Sequence, residues 1–357
     1  MSGGVDSSVV AGLLVRRGFD VVGVTLQIWQ ESQTDPRHSG CCSLGAVEDA
    51  RRVARILDIP HYVMNFREEF REHVIQNFAD EYMAGRTPNP CVECNRTVKF
   101  SILMERMRAL GCERLATGHY ARIRRDPNGD YRLLRARGGQ KDQSYVLYML
   151  TQEQLAATMF PLGELGGKAE TRQMAREMGL PVADKPDSQE ICFVSEVGGY
   201  REFLRRMRPE GFAQGDIVHE DGRRLGSHQG IAEFTVGQRR GIGVSDTKPL
   251  YVTRIEPETR RVIVGDGAAL AQREVLLADT HVAQKFAGRA TLRVHAKVRY
   301  NMTPQPATAY LGQQPRIIFD DPVRAITPGQ IAVAYHGMSV ALGGKITFER
   351  LAGSVAA

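Results

Sequence analysis

No apolar run in this sequence approaches the roughly 20 residues that a membrane-spanning helix requires, and its first residues show no basic segment followed by an apolar one. Membrane insertion and secretion are therefore not expected, and a cytoplasmic setting is. Cysteine is sparse: there are six in 357 residues, two of them adjacent at Cys41 and Cys42, which is not the dense framework of a disulfide-stapled secreted protein. Neither sign of charge dominates, since 47 Lys and Arg face 41 Asp and Glu, and the net +6 favours a polyanionic partner only mildly. Internal repeats and low-complexity segments are also missing, which removes solenoids and disordered arrays. What remains, 42% hydrophobic and 25% charged residues, is the composition of a folded soluble protein. The length exceeds one ordinary core and predicts two or three domains.

Through about residue 184, helix-like and strand-like stretches alternate, the mark of a parallel sheet covered by helices. Residues 7–17 read as helix and 21–28 as strand. Ala46, Val47, Ala50, Val53, Ala54 and Leu57 fall on one helical face, and residues 61–65 return to strand character. Phe70, Val74, Phe78 and Tyr82 form a further helical stripe, followed by a loop at 85–90, a helix at 98–110 and a strand at 114–117. After about residue 196 short β runs take over, separated by turn pairs such as Asp221-Gly222 and Pro257-Glu258. Runs at 291–300, 316–319, 331–335 and 345–349 suit a small antiparallel barrel. The expected organisation is an α/β domain over 1–195, a small β-rich domain over 196–265 and a C-terminal antiparallel β-barrel over 266–357.

Two common nucleotide signatures are lacking. No Lys-Ser or Lys-Thr ends a Walker-type loop, which disfavours γ-phosphate transfer, and Gly241-Ile242-Gly243 completes no dinucleotide fingerprint. Instead Ser2-Gly3-Gly4-Val5-Asp6-Ser7-Ser8 leads straight into an apolar helix. Two glycines let the backbone approach an anion closely, the serine hydroxyls donate, and the helix N-terminus favours negative charge. Asp6 adds a carboxylate able to hold Mg2+ against phosphates. Serine and aspartate before a helix also read as a simple N-cap.

Thiols occupy two further segments, Asn89-Pro90-Cys91-Val92-Glu93-Cys94-Asn95 and Asp187-Ser188-Gln189-Glu190-Ile191-Cys192-Phe193. Both read as loops, where prolines interrupt regular structure and a thiol near cations becomes nucleophilic. Cys-x-x-Cys also reads as a dithiol or as half a zinc site; zinc would need a second pair, for which the adjacent Cys41 and Cys42 are badly spaced. Cys112, alone before a strand, reads as a packing residue.

The opening loop resembles the pyrophosphatase loop of ATP enzymes that adenylate a substrate. Such a loop normally follows a central strand, whereas here only Met1 precedes Ser2, so the α/β domain is expected to lack its first strand. Over most of its length the chain is similar to the bacterial tRNA-specific 2-thiouridylase family. The likeness rests on the loop, Gly40-Cys41-Cys42-Ser43, Gly85-Arg86-Thr87-Pro88-Asn89-Pro90-Cys91, Cys94-Asn95, Ala116-Thr117-Gly118-His119-Tyr120, Lys141-Asp142-Gln143-Ser144-Tyr145 and the Asp187 to Phe193 segment. Phe234-Thr235-Val236-Gly237-Gln238-Arg239 and Thr327-Pro328-Gly329-Gln330 extend it into the C-terminal half.

The resemblance implies an adenine nucleotide α-hydrolase-like N-terminal domain and an ATP- and Mg2+-dependent reaction on the wobble uridine of tRNAs for lysine, glutamate and glutamine, bound by their anticodon arm. ATP would adenylate the 2-oxygen, releasing pyrophosphate, and AMP would depart with that oxygen as sulfur enters. Cys192 would carry a persulfide supplied by a sulfur-relay protein, Cys94 would be the partner nucleophile, and a disulfide between them would complete the turnover. Ser2, Gly3, Gly4, Asp6, Ser7, Leu26 and Gly118 would bind the nucleotide. Asn89, Pro90 and Cys91 would meet the target base, and His119, Lys141, Asp142, Gln143, Arg299, Tyr300 and Gln330 would contact tRNA. The alternative sulfur chemistry is an iron–sulfur cluster held by Cys91, Cys94 and Cys192, which asks more of the sequence than a persulfide does. Arginines within 122–125 and 201–208 are further phosphate candidates, although a solvated helix face explains the second group equally well. Two rivals stand beside this reading. A small-molecule adenylating synthetase with the same loop would not need two loop cysteines, and a non-catalytic RNA-binding module would not need the loop.

Overall fold

The computed structural model describes residues 1–28, 44–139, 141–187, 191–194 and 198–349. Cys41, Cys42 and the Ser188-Gln189-Glu190 part of the second thiol segment lie outside the described residues. Two compact units are present, Met1–Ile75 with Cys91–Gly199, and Gln76–Pro90 with Tyr200–Ala357.

The first unit is built around α1 (Val5–Arg16), which buries Val5, Val9, Val10, Ala11 and Leu14 and so behaves as a core helix and not as a surface one. β1 (Gly23–Gln27) and β2 (His61–Asn65) pair in parallel, Gly23 opposite His61 through Gln27 opposite Asn65, with α2 (Leu44–Ile56) as the connection. β3 (Leu115–Ala116) is followed by the antiparallel hairpin β4 (Ala121–Arg125) and β5 (Tyr131–Arg135), and pairs in parallel with β6 (Thr158–Met159). α3 (Lys168–Glu177) lays Ala175 against the α1 core together with Val53, Tyr120, Leu162 and Leu180. The α/β character and parallel pairing expected from the alternating pattern are therefore present, and residues 61–65 form a strand with the bounds read from the sequence.

In the second unit α4 (Tyr200–Met207) buries Phe203 and Leu204. β7 (Gly215–His219), β8 (Arg224–His228), β9 (Tyr251–Glu256) and β10 (Arg261–Gly265) form a sheet in the order β8-β7-β10-β9. The expected turn at Asp221-Gly222 joins β7 to β8, with Gly222 at φ +91°. β11 (Ala271–Val282), β12 (Thr291–Lys297), β13 (Gln305–Tyr310), β14 (Arg316–Arg324), β15 (Ile331–His336) and β16 (Ser339–Thr347) run antiparallel in the order β11-β14-β13-β12-β15-β16. β16 pairs back onto β11, closing a six-stranded barrel and removing its edges. Ala296, Ala307, Ala309, Ala332 and Ala334 interleave with Val294, Ile317, Phe319 and Ile346, the small residues fitting larger ones into a narrow interior. Among the described residues no helix is long and apolar enough to cross a membrane.

Residues 76–90 sit before the second thiol-bearing half of the first unit in sequence, yet they pack with the β-rich residues. The buried Glu81 anchors them: its carboxylate accepts from Arg86 Nε at 2.8 Å and Nη2 at 2.9 Å, with Lys345 Nζ of β16 at 3.4 Å. Burial alone would raise the Glu81 pKa, but the bonds and charges of Arg86 and Lys345 outweigh it and hold the carboxyl below its ordinary value of 4.5. A depressed folded pKa contributes stability that is complete above the unfolded value and lost as pH falls through the folded one. Glu81→Gln should therefore destabilise the protein by about 2 kcal/mol at pH 7, less than a fully buried pair because Arg86 is partly exposed. The difference should shrink below about pH 4, and urea melts at the two pH values check both parts.

Candidate active site

Ser2 to Ser8 form a turn whose shape depends on glycine. Gly3 has φ +66°, and a Cβ there would lie 2.1 Å from the Ala46 carbonyl oxygen of α2. The Ser2 amide donates to Ser7 Oγ at 3.1 Å, and Ser7 and Ser8 hydroxyls donate back to the Gly4 carbonyl at 3.2 and 2.9 Å. Gly118 backs this turn so closely that a Cβ would stand 2.8 Å from Asp6 Cβ and 3.0 Å from the Ser7 nitrogen. Five of the predicted nucleotide residues, Ser2, Gly3, Gly4, Asp6 and Ser7, thus gather at the start of α1 with Gly118 against them, while Leu26 lies on β1 opposite Met64. Met1 runs beside β1, its ammonium donating to the Val24 carbonyl and its own carbonyl accepting from Thr25 Oγ1 at 2.6 Å. Burial, with Lys99 adding to it, pulls the Met1 ammonium down to about 5.

Side chains that the sequence did not single out complete this corner. Lys168, in the first turn of α3, donates to both carboxylate oxygens of Asp6 at 2.8 Å and lies 2.7 Å from Asp187 Oδ1. The Tyr120 hydroxyl donates to Asp6 Oδ1 at 2.8 Å and meets Thr171 Oγ1 at 2.8 Å. Lys185 reaches the Gly3 carbonyl at 3.0 Å and Asp49 at 2.8 Å. A helix N-terminus with two ammonium groups beside it is a strong place for phosphate oxygens. No local pattern marks Lys168 or Lys185 in the sequence; only their approach to the loop does. One carboxylate with phosphate oxygens is also what Mg2+ takes, so Asp6 suits that ion with ATP present.

Asp187 joins this corner to the second thiol segment. It accepts from Lys141 at 2.9 Å and Arg172 at 3.3 Å besides Lys168. Burial acts to raise its pKa, but Lys168 and Lys141 outweigh that and keep it below the ordinary carboxylate range. Lys141, expected to face tRNA, is thus paired within the fold. Asp142 is buried and accepts from the Ala136 and Ser144 amides at 3.1 and 3.2 Å and from Arg135 at 3.2 Å. Gln143 Oε1 accepts from the Tyr120 amide at 2.9 Å.

The first thiol segment departs from the expected exposed loop. Pro90 does not interrupt structure but opens it, as proline does at a first helical position, and Pro90–Glu93 is a helical turn. Cys94 begins a π-helical stretch, Cys94–Ile102, that continues as α-helix Leu103–Ala109. Cys94 is buried, Cys91 exposed and Cys192 half-buried. Such widened turns are rare and recur at functional sites. Asn95 is buried beside Cys94, its amide donating to the Val146 carbonyl at 3.0 Å. After Cys192, the buried Phe193 ring meets Phe70 edge-on at 5.7 Å and fixes that turn in the core. Among the described residues no three His, Cys, Asp or Glu side chains gather as metal ligands, so the cluster of Cys91, Cys94 and Cys192 does not fit this arrangement.

His119 Nδ1 lies 2.8 Å from Thr117 Oγ1, with the Phe100 and Phe160 rings 6.0 and 5.9 Å away. Burial first, and the Lys99 charge second, push its pKa well below the ordinary value, so the imidazole is neutral at physiological pH. In the second unit Arg299 donates to the Arg324 carbonyl at 3.1 Å, and Lys297 donates to the Tyr300 carbonyl at 3.1 Å. Both Arg299 and Tyr300 follow β12, which ends at Lys297, and do not form its last residues. Gln330 donates to the Thr87 and Pro88 carbonyls at 3.0 and 3.3 Å. The arginines of residues 201–208 are largely compensated: Arg205 pairs with Glu233, Arg206 with Glu202 at 3.0 Å and Arg208, just past α4, with Asp80 at 2.9 Å. That is an ion-paired solvated face.

Residues 1–196 match the family described as tRNA methyl transferase HUP domain, 201–266 the tRNA methyl transferase PRC-barrel domain, and 272–346 the aminomethyltransferase beta-barrel domain. The tRNA-specific 2-thiouridylase MnmA of Methylorubrum populi is 51% identical over 340 residues, 94% of this chain and 88% of that protein. Its namesake from Clostridioides difficile is 46% identical over 349 residues, covering 97% and 96% of the two chains. The Moorella thermoacetica protein of that name is 49% identical over 352 residues, covering 97% and 98%. With high coverage on both sides, this chain belongs to the tRNA-specific 2-thiouridylase family.

Proposed function

We propose that this chain is a cytoplasmic tRNA-uridine 2-sulfurtransferase that uses ATP to convert the wobble uridine of tRNAs for lysine, glutamate and glutamine to 2-thiouridine. The observation that carries the reading is the meeting, in one compact unit, of an anion-binding helix N-terminus with Asp187, the first residue of the Cys192 segment, through Lys168. A carbonyl oxygen is a poor leaving group, so activation must precede substitution. The Ser2 to Ser7 loop holds the phosphates, with Lys168 and Lys185 adding positive charge, and Asp6 would hold Mg2+, which neutralises and orients them. The uridine 2-oxygen attacks the α-phosphorus and pyrophosphate leaves. Asn89, Pro90 and Cys91 meet the base, and the neutral His119 suits a polar base edge better than a phosphate.

Cys192 carries the sulfur as a persulfide loaded by a relay protein. Its terminal sulfur attacks C2, and AMP departs with the oxygen. The Cys94 thiolate then attacks the Cys192 sulfur, C2 is released as the thiocarbonyl, and the electrons of the broken S–S bond go to it. A Cys94–Cys192 disulfide is left, which a thiol reductant returns to two thiols. Two cysteines account for this chemistry, so Cys91 is not required for it.

Wobble nucleosides from a 2-thiouridylase deletion strain complemented with this chain are the direct test. Mass spectrometry should find 2-thiouridine restored. Its absence, with pyrophosphate release instead driven by a small acceptor and indifferent to tRNA, would favour a small-molecule synthetase.

A further inference from the structure

Three motifs that stand far apart in the sequence meet at one place in the second unit: residues 85–90, 234–239 and 327–330. Residues 85–90 contain Pro88 and Pro90, which have no N–H to donate, and each proline holds the residue before it extended. A β-turn bond to the Thr87 carbonyl would have to come from the Pro90 nitrogen, which carries no hydrogen. Gln330 supplies the donor, its amide nitrogen lying 3.0 Å from the Thr87 oxygen and 3.3 Å from the Pro88 oxygen. The Thr87 amide donates in return to the Pro328 carbonyl at 2.8 Å.

The donor is itself locked. The Gln330 carbonyl accepts from the Ile346 amide at 2.7 Å, and the Gly329 amide donates to the Ile346 carbonyl at 2.9 Å, tying the turn to β16. Gly329 has φ +86°, and a Cβ on it would stand 2.9 Å from the Thr87 nitrogen, so the loop backbone seats directly on this glycine. Thr327 Oγ1 donates to the Val236 carbonyl at 3.2 Å, which brings in the 234–239 motif. On the other side Arg86 is clamped by Glu81.

We propose that Gln330 is a positioning residue: before any tRNA arrives, it sets the path of the Thr87-Pro88-Asn89-Pro90 backbone that meets the base and opens the helix bearing Cys91 and Cys94. This rests on the reading that residues 89–91 face the target uridine. It gives Gln330 a role in the free protein beside the tRNA contact that the resemblance implies. The amide is the active part, because a carboxylate of the same size has no hydrogen to give to two carbonyls.

Gln330→Glu is the test, with Gln330→Met as a second variant of similar length in case the added charge prevents folding. In the free protein, without tRNA or ATP, amide exchange in peptides spanning 84–90 should accelerate about tenfold, the loss of roughly one hydrogen bond. The melting temperature should move by no more than about 3 °C. At saturating tRNA, kcat for thiolation should fall about tenfold or more, while tRNA Kd shifts less than about threefold. Unchanged exchange overturns the proposal, and so does a tenfold rise in Kd with kcat retained, which would make Gln330 an RNA contact. Because exchange is read on the free protein, that arm decides the loop's anchorage even if the parent chain forms no 2-thiouridine.

Discussion

Cys192→Ser is expected to stop 2-thiouridine formation, by about 10³-fold or more, while ATP-dependent pyrophosphate release in the presence of tRNA persists for a single turnover. The split follows from geometry. In the proposed scheme the phosphates sit at the start of α1 against Gly3, Gly4, Ser7 and Lys168, none of which uses a thiol. In that scheme only sulfur delivery depends on Cys192. Cys94→Ser should block later, after the persulfide has attacked C2, because no thiolate remains to resolve the bond between Cys192 and the base. That variant, loaded with persulfide, should accumulate a protein–tRNA adduct that survives a denaturing gel and disappears with dithiothreitol. Cys91→Ser, at an exposed position one helical turn earlier, should keep most of the activity. Full thiolation by Cys94→Ser would remove this scheme, and joint loss of activity in all three variants would return the cluster to consideration.

Lys168→Ala should lower pyrophosphate release by about 10²-fold to 10³-fold, the usual cost of removing a preorganised charge from a transferring phosphoryl group. Its ammonium holds both oxygens of Asp6 and one of Asp187 and is itself mostly buried, so its removal takes away a cation bound to the loop and loosens the tie to the Cys192 segment. tRNA affinity should stay within about threefold, as the proposal puts ATP phosphates, not the RNA backbone, in the loop. Asp6→Ala should abolish pyrophosphate release outright, because it removes the carboxylate suited to Mg2+. Assays with saturating tRNA, run beside thermal melts, distinguish a catalytic loss from an unfolded protein. Release within threefold of the parent in Lys168→Ala would reduce that lysine to a structural ion pair.

Local sequence determined a good deal here. The glycine and serine run before α1, the helical stripe through Ala46, Val47, Ala50 and Val53, the strand at residues 61–65 and the β runs of the barrel are patterns within a few residues, and period and turn chemistry are read over that range. The two thiol segments were legible for the same reason. What the tertiary structure decided is what depends on residues distant in the chain. Pro90 opens a helix and Cys94 is buried because of what packs around them, which a proline-rich string does not disclose. The arginines of α4 look like a free basic face until Glu233 and Glu202 neutralise two of them. Gln330 becomes a loop anchor only once the barrel turn meets Thr87 and Pro88. Lys168 reaches Asp6 across 162 positions of chain. Hydrogen bonds and ion pairs of that kind act over a few ångströms of space and carry no periodic trace along the sequence, so only the folded chain could select these partners.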